Sequence, residues 1–176
     1  MVLTKAIRFR QAGMVLLISL VFLLLLSLIG LSSMQGAVIQ QKITGSLWHR
    51  NQSLQSAESG LRRGESAIQQ SFSTLPLCRS IITCAPPQAA FSVLAPGVDP
   101  GSGVTWVALT GGLYGIQFLG PAVGLAHLPP QTPAAVYRVT AVGLSGQLRT
   151  VLESVYARTE QEGNSRFRRV AWRQLQ

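Results

Sequence analysis

Acidic residues are scarce in this 176-residue chain: six, against fifteen lysines and arginines, with two histidines and two cysteines. So small a stock of carboxylates, imidazoles and thiols leaves little from which to build acid–base, nucleophilic or metal-assisted chemistry. The acids are also scattered. Glu58 and Glu65 stand together, Asp99 stands alone, and Glu153, Glu160 and Glu162 fall near the end. His49 and His127 are distant from Cys78 and Cys84, so no metal-ligand spacing arises. No Ser/His/Asp arrangement stands out, and Gly111-Gly112 lies between strand patterns instead of ahead of a helix, which argues against a phosphate cradle. The chain reads as non-enzymatic, with no cofactor and no metal.

Charge is missing altogether from Met14 to Leu31, where Ser19, Ser27 and Gly30 are the only breaks in an apolar run. As a helix the run measures about 27 Å, close to the thickness of a hydrocarbon core. Lys5, Arg8 and Arg10 precede it with no acid among them. Such a short basic flank stays in the cytoplasm and sends the larger part of the chain across the membrane. These three cations account for part of the formal net charge of +9 without invoking nucleic acid. A cleaved secretory signal fits less well, because its apolar core is about 7–15 residues and its cleavage site follows that core. Here Gly30-Leu-Ser32 sits inside helix-compatible sequence. An uncleaved signal anchor is the plainer alternative.

Proline is absent until Pro76. Beyond the apolar run, Ile43, Leu47, Leu54, Ala57, Leu61, Ile68, Phe72 and Leu75 recur at steps of three, four and seven, with Gln, Ser, Arg and Glu between them. That spacing predicts one helix from Met14 to about Leu75, apolar in its first half and amphipathic in its second. Gly30, Gly36, Gly45, Gly60 and Gly64 weaken it by about 1 kcal/mol each relative to Ala, and mark bends or close approaches. Leu75-Pro76 ends it.

After Pro76 the pattern changes. Residues 76–103 read as loop, with Pro86-Pro87, Pro96-Gly97 and Asp99-Pro-Gly-Ser-Gly103. Strand patterns then run over 104–109, 113–119, 136–142, 150–159 and 166–175, rich in β-branched and aromatic residues. Gly143-Leu-Ser-Gly146 and the stretch 160–164 read as hairpin connections, and 121–133 as a longer loop. The expected fold is α+β: a long N-terminal helix packed on a C-terminal antiparallel β-sheet. The expected divisions are a basic leader (1–13), a membrane half-helix (14–35), an amphipathic half-helix (36–75) and the loop-and-sheet region (76–176). The last two form one globular domain.

Cys78 and Cys84 lie close together on the far side of the membrane, where one small disulfide loop, worth about 2 kcal/mol, is the natural reading and two free thiols the alternative. Near the C-terminus, Arg166, Arg168, Arg169 and Arg173 interleave with Phe167 and Trp172. A cation-and-aromatic face of that kind suits nucleic acid or a partner. A final strand with exposed arginines, which discourage edge pairing, is the blander and preferred reading, and nucleic acid is not expected as a partner.

Arg10-Gln-Ala-Gly13 ahead of an apolar helix resembles the leader of type IV pilin-like proteins, in which prepilin peptidase cuts after the glycine and methylates the new terminus. The resemblance implies cleavage after Gly13 and N-methylation of Met14. More narrowly, Met14 to Glu65 is similar to the N-terminal region of PilX-type minor pilins, through Ile29-Gly-Leu-Ser-Ser33, Gln40-Gln-Lys-Ile-Thr-Gly45 and Gln55-Ser-Ala-Glu-Ser-Gly-Leu-Arg62. Tyr137-Arg-Val-Thr140 and Thr150-Val-Leu-Glu-Ser-Val-Tyr156 are similar to the end of that family. The resemblance implies a role in assembly, with parts for Ile18 and Glu58, other minor pilins and the major pilin as partners, a possible tip adhesin, and prepilin peptidase as processing enzyme. It also implies an inner-membrane chain with a periplasmic domain that later enters the pilus of a Gram-negative bacterium. Major pilins carry glutamate where this chain has Ile18. The missing carboxylate favours a priming, tip-proximal subunit, since it removes the contact with a subunit above. A type II secretion pseudopilin and a single-pass inner-membrane protein with a periplasmic binding domain are the alternatives.

Overall fold

The computed structural model of the chain describes residues 14–71, 75–161 and 163–176. Lys5, Arg8, Arg10 and Gly13, together with Phe72 and Glu162, lie outside the described residues. Helix α1 (Met14–Ser71) is followed by a single-turn helix α2 (Ile81–Cys84), a 3-10 turn (Gln88–Phe91) and six strands. These are β1 (Gly97–Val98), β2 (Thr105–Leu109), β3 (Gly112–Ala122), β4 (Ala134–Ser145), β5 (Leu148–Gln161) and β6 (Asn164–Gln174). They form one antiparallel sheet in sequence order. The chain divides into two compact units, one ending at Ser46 and the other spanning Leu47–Gln176.

Within the first unit, Met14–Ser32 is the stretch long and apolar enough to cross a membrane, with mean hydropathy 3.0 and none of it buried. In the second, α1 lies on one face of the sheet. Ala57, Leu61 and Ile68 are buried against Tyr137, Val139, Ala141, Leu152 and Tyr156. Leu47, read from the sequence as a member of the same stripe, is 53% exposed. Periodicity locates a face and does not say how far the sheet reaches along it.

Small residues bring helix and sheet together. A Cβ on Gly143 would lie 1.8 Å from the Ser53 carbonyl oxygen, and one on Gly64 would lie 2.3 Å from Val139 Cγ1. Gly143 is thus a strand residue pressed beneath the helix, paired with Gly112 and Thr150, and not part of a hairpin connection. The turn is confined to Gly146 and Gln147, between the paired Ser145 and Leu148. Hydrogen bonds stitch the same contact: Ser53 Oγ to Thr150 Oγ1 at 2.8 Å, and Gln69 Nε2 donating to the Tyr156 hydroxyl at 2.7 Å. His49 packs edge-on against Trp48. Its Nδ1 lies 2.9 Å from Ser145 Oγ, so the imidazole ties α1 to the end of β4.

The region 76–103 also departs from the loop reading, because it straps the opposite sheet face. Ala90 and Val104 are buried there with Trp106, Leu113, Val142 and Val151. Sheet side chains hold the strap by its carbonyls. Gln117 Nε2 donates to Thr83 O (2.7 Å) and Ala85 O (3.0 Å), Arg138 donates to Cys84 O, and Arg149 donates to Ala90 O (3.0 Å) and Val93 O (2.9 Å). Ser80 and Thr83 cap α2 reciprocally. Strap residues satisfy their backbone through the sheet's side chains, a partnership between distant segments that local composition does not display. Finally, β3 continues through Pro121 and Ala122 by way of a bulge between Phe118 and Gly120, which shortens the expected 121–133 loop.

Candidate assembly surface

In Met14–Ser32 the two hydroxyls of Ser19 and Ser27 are satisfied within the helix. Ser19 Oγ donates to Leu16 O and Ser27 Oγ to Leu23 O, each at 2.8 Å. In lipid both hydroxyls would already be partnered, and the stretch presents apolar surface and small side chains. Val15, Ile18, Ser19, Phe22, Leu23 and Leu26 outline a shallow apolar depression along it. Ile18 is 50% exposed, and Met14 opens the helix. Glu58 belongs to the second unit, at an exposed position of α1 beside Arg62, Arg169 and Trp172.

Cys78 and Cys84 are joined in a disulfide that closes the loop around α2. The C-terminal arginines, neighbours in sequence, are divided by the strand. On β6, Arg169 and Trp172 stand opposite Tyr156 and Ser154, on the helix-covered face, whereas Arg173 stands opposite Glu153. Arg169 forms a bidentate pair with Glu65, Nε–Oε1 2.7 Å and Nη2–Oε2 2.8 Å, and these hydrogen bonds raise its already high pKa. Arg168 donates to the His127 carbonyl, and Arg166 stands opposite Thr159. The arginines do not converge on one patch, and two of them carry a carboxylate partner.

Glu153 is the residue that sequence reasoning passed over. It is only 3% exposed and sits between two cations: Arg138 Nε lies 3.1 Å from its Oε2, and Arg173 Nε and Nη2 lie 3.0 and 2.9 Å from its Oε1. The Arg138 approach pairs charges without the alignment of a hydrogen bond, so Glu153 Oε2 has charge compensation only. Burial lowers the Arg138 pKa, and the Glu153 carboxylate works against that shift. Arg138 and Glu153 lie on the neighbouring central strands β4 and β5, where they form a buried ion pair.

Residues 12–62 match a known family model, described as PilX N-terminal. Over those residues the chain is similar to PilX-type pilins. No curated protein and no solved structure matches it. The matched stretch takes in the apolar span and α1 as far as Arg62, including Ile18, Gly45, Glu58 and Gly60. That likeness supports a type IV pilus-associated minor pilin, and the apolar N-terminal helix fits a single-pass membrane anchor. Other pilus components are its expected class of partner. The strap, the disulfide and the Glu153 cluster all lie outside the matched residues.

Proposed function

We propose that the chain is a PilX-type minor pilin that primes assembly of a type IV pilus and occupies a position at or near the tip. The observation that carries the reading is Ile18, an exposed aliphatic side chain at the fifth position after Gly13, inside a span without any charge. A carboxylate there would be costly in lipid unless paired, so its absence removes both the cost and the pairing partner. Such a subunit still offers a terminal amine to the subunit below and asks for nothing above. Prepilin peptidase would cut after Gly13 and methylate Met14, freeing the apolar helix to exchange lipid for neighbouring pilin helices. Ser19, Ser27 and Gly30 leave room for close helix approach in either setting. The carboxy-terminal domain, periplasmic before assembly, would then be carried to the outside with the filament.

Mass spectrometry of the mature protein tests the processing step. A chain beginning at methylated Met14 is expected, and an intact N-terminus rejects the pilin mechanism. Position is tested by Ile18→Glu: the variant should distribute along filaments or assemble poorly. Unchanged assembly together with unchanged location would remove the tip assignment.

A further inference from the structure

One edge of the sheet is only partly covered. β1 pairs with β2 at Thr105 and Trp106 alone, and Pro96, which has no amide hydrogen, stands immediately before it. From Val107 to Leu109, β2 is bonded to β3 on one side, and no described residue pairs with it on the other. The Asp99 amide donates to Val104 O at 2.8 Å, and Gly97 stands opposite Trp106. Antiparallel alternation then turns the backbone of Ala108 outward, away from β3.

Two clefts run along this edge and share Val107 and Tyr114. The larger, about 570 Å³, is walled by Leu77, Ile116 and Phe118, with Arg79 among its lining. The smaller, about 300 Å³, reaches Ser59 and Arg63 of α1. Among the described residues no carboxylate lines either cleft. Among the described residues neither Arg63 nor Arg79 has an ion-pair partner, whereas Arg138, Arg158, Arg169 and Arg173 all do. An open strand edge, an apolar hollow beside it and two unpaired cations along it form one strip.

We infer that the outer edge of β2 receives an extended segment of a different protein, apolar where it meets the larger cleft and acidic toward Arg63 and Arg79. Backbone pairing at Ala108 supplies the attachment, and the clefts and cations supply the selection. A second copy of this chain is a poor occupant. Its other uncovered edge, β6, carries Arg166 and Arg168 without a carboxylate partner among the described residues, and docking that edge at β2 would add their charge to that of Arg63 and Arg79. The inference rests on the surface of the Leu47–Gln176 unit and is independent of the position of the subunit in a filament.

The test pans full-length protein in lipid nanodiscs against a random heptapeptide library, in parallel with Ala108→Pro and with the double variant Arg63→Glu/Arg79→Glu. Proline at 108 removes the outward amide while the β2–β3 bonds of Val107 and Leu109 remain. Enriched peptides should combine apolar and acidic residues and bind saturably. Affinity should fall at least about tenfold for Ala108→Pro, and the charge-reversed protein should select basic peptides instead. No enrichment on the wild-type protein overturns the proposal, as does acidic selection that persists after charge reversal. If Ala108→Pro fails to fold by circular dichroism, the charge-reversed protein decides alone.

Discussion

Arg138 and Glu153 meet across β4 and β5 on the sheet face opposite α1, with side chains 12% and 3% exposed. Arg138 also holds the Cys84 carbonyl, and Glu153 also holds Arg173 of β6. One buried carboxylate thus connects the strap, two central strands and the edge strand. Glu153→Ala would leave Arg138 buried beside unopposed positive charge and should destabilise the domain by about 3–5 kcal/mol. Arg138→Met combined with Glu153→Leu should lose clearly less than that, because removing both charges strands neither. Urea unfolding of wild type, Glu153→Ala and the double variant measures the difference.

The Cys78–Cys84 bond closes a loop that Gln117 and Arg138 already grip at Thr83, Cys84 and Ala85. Replacing both cysteines with serine should cost about 2 kcal/mol, the loop-closure value for a ring of this size. The sheet side chains should keep the strap in place, so the loss of amide protection should be confined to residues 78–85. Hydrogen exchange with peptide resolution checks this. Loss of protection reaching Ala90 and Val104 would mean that the disulfide, and not the sheet, fixes the strap.

The α+β architecture was legible because its signals are local: an uncharged apolar run, a 3.6-residue period over Leu54 to Ile68, and strand patterns bounded by glycine and proline. Its hidden parts depend on partners distant in the chain. Residues 76–103 look irregular since their carbonyls are satisfied by Gln117, Arg138 and Arg149, and no window of sequence contains both halves of those bonds. Gly143 looks like turn punctuation, although its missing Cβ makes room for Ser53 of α1. The arginines of β6 look like one cluster, yet strand alternation and the register shift opposite Val155 and Tyr156 send them to different neighbours. Cysteine spacing was the exception, since Cys78 and Cys84 are near enough in sequence for their pairing to be read directly.

Asp99 Oδ2 accepts hydrogen bonds from the Ser102 hydroxyl and amide, at 2.5 and 2.8 Å, in the turn between β1 and β2. These bonds, the hydroxyl's foremost, hold the Asp99 carboxyl below its ordinary pKa. A depressed carboxyl stabilises the folded turn at pH values above the unfolded pKa of about 3.9, and that contribution disappears as pH falls through the lower folded value. Amides of Ser102 and Gly103 should therefore lose protection on acidification below about pH 4, beyond the intrinsic pH dependence of exchange. Asp99→Asn should abolish this extra pH sensitivity. A wild-type profile identical to that of Asp99→Asn would exclude the carboxylate as its source.

Glycines of α1 and β4 separate backbone propensity from packing, because the same added methyl meets three different surroundings. At Gly45 nothing lies within 4 Å of the new Cβ, so Gly45→Ala should stabilise α1 by up to about 1 kcal/mol. At Gly60 the methyl would come 2.9 Å from Ala141 Cβ, so the helical gain is opposed by a contact that both elements must relax. At Gly143 it would come 1.8 Å from the Ser53 carbonyl oxygen and 2.7 Å from the Ala57 amide nitrogen. Those are backbone atoms, which no rotamer change can move, so Gly143→Ala must separate β4 from α1 and should cost about 3 kcal/mol or more. The expected stability order is Gly45→Ala above wild type, Gly60→Ala lower, and Gly143→Ala lowest. Thermal unfolding of the three variants in one detergent measures it. Gly143→Ala at wild-type stability would show that helix and sheet do not make this contact.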